Sequence, residues 1–179
     1  APGTMAAQTF AGTYLDIRSA AANVTIIPED RTDFSVEIDN SAGLAPMPTV
    51  GVEGENLIID GQLRGRIHNC GDSNISLRGY GDVNQEQLPR ITIRTPRAVD
   101  VNRSGAGTTE IGAADSVSLD FSGCGTARIG DVAGELDLDI AGAGEVTAGA
   151  ANHVTADVAG VRANAGEGRS GGWPRSARR

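Results

Sequence analysis

The sequence predicts an all-β fold: a right-handed, single-stranded parallel β-helix (β-solenoid) with coils of about 18–19 residues, preceded by a less regular β-rich N-terminal half. Three observations predict it. Four late segments resemble one another, starting at Val99, Val117, Leu136 and Val154, so 18, 19 and 18 residues apart. That period is too short for a helical hairpin or a propeller blade, and it suits one coil of stacked parallel strands. The chain holds 25 Gly and only 3% aromatics, the composition of a thin aliphatic core and not of one built around large rings. No stretch of ten or more residues carries a helical period with caps, so helix content should be low.

Taken in order, residues 1–90 read as a β-rich region continuous with the solenoid. Thr13–Arg18 alternates, with Leu15 and Ile17 on one side and Tyr14, Asp16 and Arg18 on the other. Asn23–Ile27 ends at Pro28, which cannot continue a ladder. Phe34–Ile38 has the strict rhythm of a half-buried strand, Val50–Val52 alternates, and Leu57–Ile59 is a fully apolar run. Residues 64–72 have the polarity of a loop. Ile75–Val83 reads as a degenerate earlier copy of the repeat, one residue short before its Gly-x-Gly.

Residues 91–161 are read as the regular coils. The columns Val99/Val117/Leu136/Val154 and Val101/Leu119/Leu138/Ala156 are apolar throughout and should face inward. Asp100/Ser118/Asp137/Thr155 and Asn102/Asp120/Asp139/Asp157 are polar throughout and should face outward. The third inward column runs Arg103/Phe121/Ile140/Val158, and Arg103 breaks it where the stack begins or meets a different element. A Gly-x-Gly corner then turns the chain into a second strand, with Thr109/Ala127/Val146 and Ile111/Ile129/Ala148 inward.

From Val161 the pattern fails, and residues 162–179 read as a disordered Arg/Gly-rich tail. A natural cap, an expression end and a changed reading frame all account for it. An uncovered last coil would present an open strand edge, through which the chain could form homo-oligomers.

Charge narrows the partners. The formal net charge is −8 and no Lys occurs; the tail holds five Arg against one Glu, so the body before it is more acidic still. An acidic body argues against nucleic acid, which needs a concentrated basic face. No apolar run approaches the length of a membrane span. The chain begins Ala1-Pro2-Gly3, as a mature exported protein does after signal removal, or as a trimmed chain does.

Cys70 and Cys124, 54 residues apart, have no metal-type spacing. In an exported protein a disulfide between them is the simplest reading, stabilising by about 3–4 kcal/mol through loop closure. The alternative is two free thiols, with Cys124 replacing the Ala of its repeat position.

Residues Leu88-Pro89-Arg90-Ile91-Thr92-Ile93-Arg94-Thr95-Pro96, running directly into the Ser-Gly-Ala-Gly corner, resemble the bacterial auto-transporter adhesin family, also called the head GIN domain. The resemblance spans residues 10–160. It implies an exported right-handed β-solenoid of unassigned biochemical role in the periplasm, at the outer membrane surface or outside the cell. It supplies no catalytic residues.

Among candidate sites, the outward ladder of Asp120, Asp139 and Asp157 is the most suggestive. Stacked carboxylates repel one another, and a bridging cation would relieve them, so a weak Ca²⁺ site is one reading. A patch for glycans is another, and a solvated acidic face that keeps the protein soluble is the third. No other cofactor is expected. Parallel β-helices include polysaccharide lyases and glycosidases, so Asp120 and Asp139 with Arg90, Arg94 and Arg128 form an enzyme alternative. Glu110 beside Arg128 reads instead as an ordinary surface pair, and His68 and His153 as turn or loop residues. The Gly-x-Gly corners precede no helix, so a nucleotide-binding reading fails. The expected role is therefore a non-catalytic, exported, structural or adhesin-like protein of the cell envelope or surface. Its partner would be a cell-surface glycan or protein, with a self-assembling module as a further alternative.

Overall fold

A computed structural model describes residues 2–71, 73–159 and 162–165. The chain is all-β. Among the described residues sixteen strands follow in order: β1 (Gly3–Phe10), β2 (Tyr14–Ala21), β3 (Asn23–Pro28), β4 (Phe34–Asn40), β5 (Thr49–Glu53), β6 (Asn56–Asp60), β7 (Ile67–Cys70), β8 (Asn74–Leu77) and β9 (Gly81–Asn84). A short 3₁₀ turn, Gln85–Gln87, leads to β10 (Arg90–Thr95), β11 (Ala98–Ala106), β12 (Thr108–Ile111), β13 (Ser116–Ile129), β14 (Val132–Ala148), β15 (Ala151–Ala159) and β16 (Arg162–Ala165).

The architecture corrects the predicted fold class. It is a mixed, nearly closed, barrel-like sheet of 13 strands beside a separate sheet of three, and not a single-stranded right-handed parallel β-helix. The main path runs β1-β4-β10-β3-β12-β13-β11-β2-β6-β5, with β14 continuing from β13 and pairing β15 and β16. Antiparallel pairs β1·β4, β4·β10 and β5·β6 border the parallel ones at both ends of that path. The look-alike segments report only their own parallel pairings. They carry no trace of the hairpins that the N-terminal half adds.

Strand β2 pairs β11, and β3 sits between β10 and β12, so the first strands are interleaved with the later ones. The strand pair β2–β3 turns at Ala20-Ala21-Ala22, with Ala20 beside Gly105 and Ala21 beside Ala106. Alternation in β2 buries Leu15 and Ile17, and in β4 it buries Phe34, Val36 and Ile38.

The four late segments lie side by side in parallel. Val99, Val117, Leu136 and Val154 align, as do Val101, Leu119, Leu138 and Ala156. Both columns are buried in one continuous aliphatic core with Thr109, Ala127, Val146, Ile111, Ile129 and Ala148. β13 folds this sheet on itself: its first half pairs β11 and its second half pairs β12. The bend falls at Gly123 and Gly125, whose φ angles of 113° and 119° disfavour any residue with a Cβ.

Residues 64–90 depart from their reading. Ile67–Cys70 is a strand, and Ile75–Val83 is no copy of the later segments: β7-β8-β9 is an antiparallel meander outside the main sheet. Near the C-terminus, Arg162–Ala165 pairs with Glu145–Ala148, so the first four residues assigned to the tail form a strand. The rest of that tail, residues 166–179, lies outside the described residues, and with it the chain that would cover or leave open the last turn.

Candidate functional site

The main sheet presents two different surfaces on either side of the glycine bend. Before the bend, parallel registry builds an acidic one. Asp16 on β2 stands beside Asn102 on β11, then Asp120 on β13, Asp139 on β14 and Asp157 on β15. A second row places Asp100 next to Ser118, Asp137 and Thr155. Registry of this kind fixes neighbouring side chains about 4.8 Å apart across each parallel pair. The backbone holds them there because Leu15, Val101, Leu119, Leu138 and Ala156, one position earlier, are buried.

Among the described residues, little positive charge answers these acids. Arg18 pairs with Asp16 at 2.5 Å, and the Asn102 amide donates to the other Asp16 oxygen at 2.9 Å. Asp120 is held above the ordinary carboxylate range by partial burial and then by Asp139. Asp100 is raised in the same way, by burial and then by Asp137. The Tyr14 hydroxyl is raised by burial first and by Asp16, Asp100 and Asp120 after it. A shallow groove of about 440 Å³ borders this surface, with Thr13, Thr32, Asp100, Ser118 and Asp137 on its walls.

Asp120, Asp139 and Asp157 are thus brought into one row, yet a row is not a chelate. Among the described residues, no group of three or more His, Cys, Asp or Glu side chains is arranged to hold a metal ion. Carboxylates on successive parallel strands point the same way and do not converge. The arginines of the enzyme alternative lie elsewhere. Arg94 donates to Glu29 at 2.9 Å on β10, and Arg128 stands beside Glu110 beyond the bend. Arg90, at the start of β10, neighbours Asp39 on β4. The structure does not bring these bases to Asp120 and Asp139. His68 on β7 accepts from Arg78, while His153 on β15 stands beside Glu135, so the two histidines are on separate sheets.

Cys70 and Cys124 are joined by a disulfide, with Cα atoms 6.1 Å apart. Cys124 is the middle residue of the β13 bend, and the bond ties β7 to it. A recess of about 440 Å³ lies beside it, walled by Gly71, Ile75, Gln85, Thr126 and Glu145.

Sequence reasoning missed the role of Arg103. Its side chain is fully buried under the bend and makes five hydrogen bonds. It donates to the carbonyls of Ala20, Ala22, Ser104 and Ala106 and to the Thr109 hydroxyl. Burial alone pulls its basicity down to about 10, but five oxygen acceptors all favour the charged form. The signal was present as the one charged residue in an inward column. Its partners, Ala20 and Ala22, lie more than 80 residues away and gave no hint.

Among the described residues no helix is long and apolar enough to cross a membrane. No protein-family model matches the chain, and no curated protein does. Among solved structures, the chain is similar to a "putative adhesin" from Parabacteroides distasonis ATCC 8503, with 11% identity and a TM-score of 0.40 over 90% of this chain and 76% of that one. It is also similar to a "putative cell adhesion protein" from Clostridium sporogenes ATCC 15579, with 11% identity and a TM-score of 0.42 over 94% and 97%. A "putative lipid binding protein" from Parabacteroides distasonis ATCC 8503 has 11% identity and a TM-score of 0.26 over 92% and 95%. None of these three carries the head GIN name.

Proposed function

We propose that this chain is a non-catalytic, exported, adhesin-like protein that presents its acidic sheet surface to a partner at the cell envelope or surface. The observation that carries the proposal is the pair of aligned rows on β2, β11, β13, β14 and β15. They set Asp16, Asp100, Asp120, Asp137, Asp139 and Asp157 on one surface, where among the described residues Arg18 pairs with Asp16. Uncompensated like charge is unfavourable for folding, and a partner that neutralises it recovers that free energy on binding. The Cys70–Cys124 disulfide supports an exported setting, because such bonds persist outside the reducing cytosol.

A basic protein segment is the direct complement of this surface, and a glycan would need Ca²⁺ to bridge it to the carboxylates. The test is calorimetric titration of the purified chain with Ca²⁺, an oligolysine peptide and acidic surface glycans. Binding that Asp120→Asn with Asp139→Asn weakens at least tenfold, and that fades with salt, supports the proposal. Turnover of a glycan, or binding indifferent to both substitutions, would overturn it.

A further inference from the structure

Residues 61–89 leave the main sheet after β6 and return at β10. Between those points they build β7-β8-β9, which shares no backbone ladder with the main sheet among the described residues. This small sheet covers the outside of the bend. Leu63, Ile75, Leu77, Val83 and Leu88 form a second buried cluster against Ala21 and Ala106, separate from the main core. Ala21, Ala106 and Cys124 follow one another across β2, β11 and β13.

The two sides of that contact are unequal. The small sheet contributes large aliphatic side chains, but the main sheet offers them chiefly methyl groups. Polar ties gather at the base of the excursion. Gly61 donates to the Arg18 carbonyl at 2.9 Å and Leu63 to the Ser19 carbonyl at 3.1 Å. Asn23 donates to the carbonyls of Pro89 and Gln85, each at 2.9 Å. Away from the base, at the end of β7, the covalent tie is Cys70–Cys124. Cys70 is exposed and Cys124 half-buried, and the recess beside them opens to solvent, so an attacking thiolate has access to a sulfur.

We propose that β7-β8-β9 is a flap latched by the Cys70–Cys124 disulfide, and that a dithiol reductant releases it. The exchange is balanced. A thiolate of the reductant attacks one sulfur and forms a mixed disulfide, and its second thiol resolves that bond. Two electrons and two protons pass to Cys70 and Cys124 while the reductant becomes a disulfide. With the latch open, the flap swings on its base at Gly61 and Pro89. Leu77 and Val83 then leave the cluster they share with Ala21 and Ala106, and apolar surface on both sides meets water. The main core, which shares none of these residues, stays closed.

Hydrogen exchange read by mass spectrometry on the full chain tests this, comparing oxidised protein with protein held in dithiothreitol. The expected result is at least tenfold faster exchange in peptides covering β7–β9. The ratio of flap to main-sheet protection falls, an apolar dye binds more strongly, and reoxidation reverses both changes. The variant with Cys70→Ser and Cys124→Ser should exchange like the reduced protein and ignore dithiothreitol. Unchanged flap protection on reduction would overturn the proposal, as would flap and β11–β14 peptides losing protection in parallel. Two titratable thiols in the denatured, unreduced protein would overturn it too.

Discussion

The Arg103 Nη1 donates to the Ala20 carbonyl at 2.9 Å, across 83 residues of chain, from a buried side chain. Its Nη2 does the same to Ala22 at 2.9 Å. The planar fork thus satisfies carbonyls of two adjacent bends at once, one on β2–β3 and one on β11–β12.

Replacing Arg103 with Met, which fills similar volume without donors, takes a donor from the buried carbonyls of Ala20, Ala22 and Ala106, of which Ala106 keeps the Ala22 amide, and from the part-buried carbonyl of Ser104. Each orphaned acceptor costs about 1–3 kcal/mol. The expected loss is at least about 3 kcal/mol in denaturant unfolding. Arg103→Lys should recover only part of it, because one ammonium cannot span two bends. Equal stability of the Met and wild-type proteins would show that water replaces the guanidinium.

The acidic rows should make the protein less stable as carboxylates ionise. Asp100 and Asp120 are raised above their ordinary values, so in that window the folded chain holds more protons than the unfolded one. Stability therefore falls as pH climbs from the ordinary carboxylate value through the raised ones, and the full penalty is present at neutral pH. Asp120→Asn should raise the melting temperature at pH 7. Relief of one like-charge neighbour on a sheet is worth about 0.2–1 kcal/mol. Added salt should shrink the gain. A melting temperature that drops in the Asn variant would mean Asp120 makes a favourable contact.

Glycines in this chain should respond unequally to Ala. At Gly125, with φ at 119°, a Cβ would overlap the Gly107 carbonyl oxygen. Gly125→Ala should cost at least about 2 kcal/mol. Gly51 on β5 has nothing within 4 Å of a built Cβ and no positive φ, so Gly51→Ala should be neutral or stabilising by up to about 1 kcal/mol. Thermal unfolding of the two variants checks both, and similar melting temperatures would contradict the packing of the bend.

Ser19 holds a φ of 50° at the irregularity where β2 meets β11, and its amide donates to the Ser104 hydroxyl at 3.0 Å. Ser19→Gly should leave stability unchanged or raise it slightly, whereas Ser19→Val should lower it by about 1–3 kcal/mol. Chemical denaturation separates these, and a tolerated Val would argue against a fixed left-handed residue there.

Much of the strand content was legible because burial and exposure alternate residue by residue. Leu15 and Ile17, Val36 and Ile38, and Leu119 and Phe121 are each separated by one polar position, and all are buried. The acidic rows were legible for the same reason, since equal spacing puts Asp120 beside Asp139 once strands pair in register. Ile75–Val83 was misread because its Gly and alternating residues fit either a further parallel segment or a hairpin. Local pattern does not distinguish the two. The Ala20-Ala21-Ala22 bend was missed because alanine carries no turn signal.

The sequence by itself determined that the chain is all-β, which residues face the core, and how the segments from Val99 to Val158 align. Those are properties of a two-residue period, and a period is local. Only the tertiary structure decided that β2 and β3 interleave with β10–β12, that antiparallel hairpins border a mixed barrel-like sheet, and that Arg103 and the Cys70–Cys124 bond join segments distant in sequence. The reason is physical. Strand direction and partner choice depend on which buried surfaces meet across the core, and each strand's own residues fit a parallel or an antiparallel neighbour almost equally well.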